Sequence, residues 1–175
     1  MMSIVSFFWL CVALFAMVGW MRGWAKELLV SFSAILALGL NFILRRYIPF
    51  VQNIPQEDVT LFWIETIILL VLVYFGYQTV SISRLTAKAA REKIQDALFG
   101  GILGAFNGYL IVGSILYWMD LANYPFPKFV TPPTDPVVVA TVNQMMMYMP
   151  PQLLGEPGIY FAIILAFIFV LVVYI

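Results

Sequence analysis

Long apolar runs separated by short polar stretches organise the chain from its first residues to its last. Five runs stand out: Ser3–Met21, Leu28–Leu44, Leu61–Ser83, Leu98–Met119 and Ile159–Ile175. A helix that crosses a bilayer needs about 20 mainly apolar residues, and each run is near or above that length. The first run could pass for a signal peptide. It lacks a preceding positive charge and a small-residue cleavage pattern, so the expectation is a retained helix. The second run has 17 residues and is completed at its start by the turn 22–27. The last run meets the end of the sequence without a polar flank. That fits either a truncated sequence or a carboxyl end at the interface.

Two connections carry structure of their own. RLTAKAAREKIQDA, residues 84–97, combines alanine and charged residues of good helix propensity with no proline. It predicts a helix lying on, or rising from, the cytoplasmic face, where basic residues suit anionic headgroups. The connection 120–158 begins with NYPFPKFVTPPTDP, which is proline-rich and expected to be extended. Asp135 before Pro136 then has the form of an N-cap followed by proline at the first helical position. Pro136–Met149 should form a helix too short to span, lying in the outer interface or against the bundle.

The expected architecture is therefore an all-α integral membrane protein. It has a four-helix transmembrane core over residues 1–120, an outer loop with an interfacial helix over 121–158, and a C-terminal hydrophobic helix over 159–175. Composition strengthens this: 63% of the 175 residues are hydrophobic and 10% are charged, against about 25% charged in an ordinary soluble domain. Six of the nine basic residues (Arg22, Lys26, Arg84, Lys88, Arg91 and Lys93) fall on one side of the spans, and Arg45, Arg46 and Lys128 on the other. The richer side is expected to be cytoplasmic, which places the amino terminus outside. Trp20 and Trp24 would mark the inner interface, Trp63 and Trp118 the outer one.

The same composition narrows the chemistry. Nine basic and nine acidic residues cancel, so no electrostatic footprint for nucleic acid exists. Histidine is absent and Cys11 is the single cysteine, which removes the usual haem and metal ligands. No phosphate loop or nucleophile–base motif is present. The expectation is a non-catalytic protein without a cofactor. An aromatic content of 17% would suit contacts with lipids, quinones or pigments.

The most specific pattern is a ladder in the fourth run. Asp96, Gly100, Gly104 and Gly108 recur every four residues and so share one helix face. In lipid, small residues let helix backbones approach closely. The partner could be another protein or a helix of this chain. The second run offers Ser33, Ala34, Ala37 and Leu38 on adjoining faces. Arg22, Gly23, Lys26 and Glu27 form a second cluster at the first reversal. Arg22 and Lys26 would share a face if helical, Gly23 allows a tight turn, and Glu27 suits a helix start. This cluster reads either as a plain interfacial turn or as a contact for lipid headgroups or a partner. Of the remaining polar residues, Glu65 is expected to reach the outer headgroups. Asp96 would sit near Arg91 or Lys93, and Asn41 and Asn107 would hydrogen-bond neighbouring helices. No chain of titratable groups crosses the middle, which disfavours a transporter.

The segments GWMRGWAKEL, residues 19–28, and DALFGGILGAFNG, residues 96–108, resemble the CvpA (colicin V production protein) family across about residues 1–120. That resemblance implies a small four-span protein of the bacterial inner membrane, linked to colicin export and envelope upkeep. It also implies the "RG…E" turn at Arg22, Gly23 and Glu27, and the aspartate followed by glycines at Asp96. The chain departs from the family pattern at Ser3 and Ser6, where an acid is usual, and at Asn107, where a basic residue is common. The outer proline-rich segment and the fifth run are additional. Two functions follow. The first is a structural, accessory subunit packed among other integral membrane subunits and lipids, for example in a respiratory or photosynthetic complex. The second is a free-standing CvpA-like factor for secretion or envelope maintenance. A channel, which would require an oligomer, ranks third.

Overall fold

The structure, a computed structural model, describes residues 3–78, 93–128 and 130–174. Among these it is all-helical. The long helices are α1 (Ile4–Arg22), α2 (Trp24–Tyr47), α4 (Val59–Tyr77) and α5 (Lys93–Leu121), with a one-turn helix α3 (Pro49–Gln52) between α2 and α4. The outer segment folds into α6 (Pro136–Met146) and a single turn α7 (Pro150–Leu153), and α8 (Gly158–Tyr174) follows. Four of these helices, α1, α2, α4 and α5, are long and apolar enough to cross a membrane.

Each element has a local cause. Gly23 separates α1 from α2 because its φ of +87° interrupts the helix, a conformation costly for any residue with a Cβ. Asp58 caps α4, its carboxylate accepting from the Thr60 N–H at 2.6 Å. Hydrogen bonds from the Thr60 side chain and then its backbone N–H hold the Asp58 carboxyl below its ordinary pKa. Asp135 caps α6 as its sequence suggested, accepting from Val137 and Val138. Pro136 takes the first helical position.

Helix α2 lies centrally and packs against α4, α5 and α8, whereas the main neighbour of α1 is α5. Ala34, Ala37, Leu38, Leu69, Leu110 and Ile111 fill the core. Helix α8 rests on α2 at Gly39, where an added Cβ would overlap Ile163. The outer segment is packed onto α5. Val142, Met146 and Met149 are buried, the Tyr109 hydroxyl donates to the Tyr148 carbonyl at 2.6 Å, and the Tyr117 hydroxyl pairs with Gln152 at 2.9 Å. Phe126, in the proline-rich stretch, meets Phe62 and Trp63 edge-on.

Two boundaries differ from the sequence reading. Residues 93–97 belong to α5 itself rather than to a separate surface helix, because nothing between Lys93 and Leu98 breaks the helix. The rest of that surface helix, 84–92, lies outside the described residues, as does the end of the third run beyond 78. Helix α6 stops at Met146 rather than Met149, where the chain turns into α7 to bring Met149 and Pro150 against Gly113. Trp118 is buried against the bundle.

Candidate functional site: a buried polar junction of four helices

The Arg22–Glu27 turn and the aspartate–glycine ladder meet in one place. Glu27, in the first turn of α2, is fully buried, with 0% of its side chain exposed. A buried carboxylate is stable only with charge and hydrogen bonds to satisfy it, and Glu27 has both. Arg22 Nη1 donates to its Oε1 at 2.6 Å, and Asn107 Nδ2 donates to its Oε2 at 2.8 Å. Asn107 also reaches the Glu27 backbone carbonyl at 2.9 Å. The Asn107 side-chain oxygen accepts from the Ser31 hydroxyl at 2.6 Å, so every polar atom of the Asn107 side chain is used. Arg22 continues outward to α4. It donates to the Tyr77 carbonyl at 3.1 Å and lies 4.4 Å over the Tyr77 ring, within range of a cation–π attraction. One network thus joins the end of α1, the start of α2, the end of α4 and the middle of α5.

Asp96 closes the same junction from α5. Its Oδ1 accepts from the Trp24 N–H at 3.1 Å, one of the donors left unpaired at the start of α2. It therefore caps a different helix; of the two neighbours the sequence reading gave it, Arg91 lies outside the described residues and Lys93 is exposed. Gly23 faces that carboxylate, and an added Cβ would stand 2.6 Å from Asp96 Oδ2. Lys26 is exposed at this end. It does not share a helix face with Arg22, because Gly23 intervenes.

The glycine ladder packs on α1, not on the alanine face of α2. A Cβ at Gly100 would overlap the Gly19 carbonyl, and one at Gly104 would overlap the Phe15 carbonyl. One at Gly108 would lie 2.8 Å from the Phe15 Cβ. Val12, Phe15 and Gly19 follow i, i+3, i+7 spacing; that spacing, with Gly19 among apolar residues, was the available signal for the partner helix. Ala34 and Ala37 are fully buried in the core of the bundle.

A second polar group lies toward the other end of α2 and α4. Glu65 is 3% exposed and pairs with Arg45 at 3.3 Å, instead of reaching headgroups. Asn41 Nδ2 donates to the Glu65 carbonyl at 3.0 Å. Between the two polar groups α2 presents Ala34, Ala37 and Leu38, so no continuous polar path links them among the described residues. Nor does any cluster of three metal-binding His, Cys, Asp or Glu side chains occur among them.

The site is a structural lock built from one ion pair, one bridging amide and one capping carboxylate inside a bundle of apolar helices. That fold and site define the class: a multi-pass, all-helical membrane protein whose first hairpin is clasped by its last core helix. The family described as "Colicin V production protein" matches residues 6–133, and the chain belongs to that family. The match takes in every residue of the junction. No curated protein and no solved structure matches the chain.

Proposed function

We propose that this chain is a free-standing, non-catalytic membrane factor of the bacterial inner membrane, serving secretion or envelope maintenance. Membership of the Colicin V production protein family supports this reading. The use of the glycine ladder supports it further. A ladder held for another subunit would face outward, whereas Gly100, Gly104 and Gly108 are covered by α1 of the same chain. The accessory-subunit reading loses its main argument on that observation. The excess of basic residues beside Arg22 favours a cytoplasmic location for that end, with the amino terminus outside.

Extraction in mild detergent, followed by a native gel and mass spectrometry of the band, tests the proposal. A small species containing this chain is the expected result. Stoichiometric comigration with redox or pigment-binding subunits overturns it.

A further inference from the structure

Asp135 and Glu156 are exposed, and residues 136–155 between them carry no charge. A stretch of that length could cross a bilayer as one helix. Instead it folds back on itself: α6 ends at Met146, the chain reverses over 147–149, and α7 starts at Pro150. The reversal is docked well down α5. Met149 and Pro150 lie against Gly113, where an added Cβ would stand 2.9 Å from Met149 Sδ and 3.0 Å from Pro150 Cδ. Gly113 precedes the end of α5 at Leu121 by about 12 Å of helix. The Tyr109 hydroxyl, which holds the Tyr148 carbonyl at 2.6 Å, belongs to a residue about 6 Å of helix further in. Asp120 marks the end of α5 as its polar boundary, and one hydrocarbon leaflet is roughly 15 Å deep. The reversal therefore reaches most of the way through one leaflet.

The backbone of the reversal suits a place without water. Irregular backbone at membrane depth must find its hydrogen bonds within the protein. The Tyr148 and Met149 N–H groups donate to the Met145 and Met146 carbonyls at 3.0 and 3.2 Å, and Tyr109 takes the Tyr148 carbonyl. The first turn of a helix leaves N–H groups open; α7 begins with Pro150 and Pro151, which have none. The next residue, Gln152, donates its N–H to the Met149 carbonyl at 3.0 Å. Val142 and Met146 turn one side of α6 to the bundle, whereas Met147 and Tyr148, at the reversal, are 64% and 61% exposed. The exposed amides of Asn143 and Gln144 lie about one turn nearer Asp135, within reach of headgroups. We propose that residues 136–157 form a re-entrant hairpin, which enters one leaflet from the side of Asp135, turns back inside it, and presents Met147 and Tyr148 to acyl chains. The inference does not depend on the secretion reading.

Nitroxide labels report depth in a bilayer through their relative exposure to oxygen, which enters hydrocarbon, and to a water-soluble nickel complex, which does not. In a full-length Cys11→Ser background, the labels go on Val137→Cys, Met147→Cys and Leu14→Cys, all exposed positions where a label disturbs little packing. Leu14, near the middle of α1, supplies the deep reference. Helix α6 has 11 residues and is about 16 Å long. In phosphatidylcholine nanodiscs the Met147 label should therefore lie on the order of 10 Å deeper than the Val137 label, and close to the Leu14 label in its preference for oxygen. Equal depth at Val137 and Met147 overturns the proposal, because it describes a helix lying flat. So does free access of the nickel complex to the Met147 label, which would place the reversal in water. A Met147 label shielded from both agents also overturns it, since protein rather than lipid would then cover the tip.

Discussion

Removing either partner of the Arg22–Glu27 pair should destabilise the protein unequally, and the structure sets the order. Breaking a buried pair by deleting one partner costs about 3–5 kcal/mol, because the remaining charge is left without compensation. Arg22→Ala leaves a carboxylate with 0% of its side chain exposed, to which Asn107 alone would still donate. The full range of about 3–5 kcal/mol applies. Glu27→Ala leaves an arginine that is 21% exposed, still bonded to the Tyr77 carbonyl, and long enough to turn its head toward the interface. Its cost should fall at or below about 3 kcal/mol. The double variant Arg22→Ala/Glu27→Ala should be less destabilised than the sum of the singles, with a coupling of roughly 1–3 kcal/mol. At about 2–4 °C per kcal/mol for a chain of this size, Arg22→Ala should lower the unfolding midpoint by roughly 10 °C. Loss of the monodisperse peak on size exclusion after heating in mild detergent reads the midpoint. Equal losses in the two single variants, or strict additivity in the double, would refute the reasoning.

Other substitutions separate the roles of the surrounding residues. Gly104→Leu should prevent α1 from seating on α5, since even a Cβ there would overlap the Phe15 carbonyl; loss of accumulated protein on a membrane blot is the expected outcome, and normal yield would contradict it. Asp96→Ala should cost about 1 kcal/mol as a lost cap, with Asp96→Asn largely restoring stability in the same heating assay. Asn107→Leu should be much more harmful than Asn41→Leu. The first strands the buried Glu27 and Ser31 groups, whereas the second removes one interhelical bond of roughly 0.6 kcal/mol. Comparing their unfolding midpoints decides the point.

The apolar runs were legible in the sequence because crossing a bilayer imposes a length and a composition. The Asp135–Pro136 helix start was equally plain, since capping is local chemistry. What escaped was pairing across the fold. Glu65 lies only a few residues into its run, which suggested a side chain at the headgroups; its burial depends on Arg45, twenty residues away on another helix. Asp96 stands near Arg91 and Lys93 in sequence, yet its partner is the Trp24 backbone. The ladder announced a close approach, but small residues occur on more than one run. The sequence reading offered the alanines of α2 and did not weigh Gly19, whereas three-dimensional packing puts Gly19 against the ladder. The "RG…E" turn and the ladder were read as separate clusters, although Asn107 and Asp96 tie both into one junction.

The arrangement of α1 has a bearing on biosynthesis. It is the first of the four long helices to leave the ribosome, yet its seat is on α5, the last of them to emerge. Until α5 is inserted, α1 has lipid where Gly100, Gly104 and Gly108 will later stand, and the Glu27 carboxylate lacks its amide from Asn107. A nascent chain halted before residue 107 would therefore hold Glu27 paired with Arg22 but without the Asn107 amide.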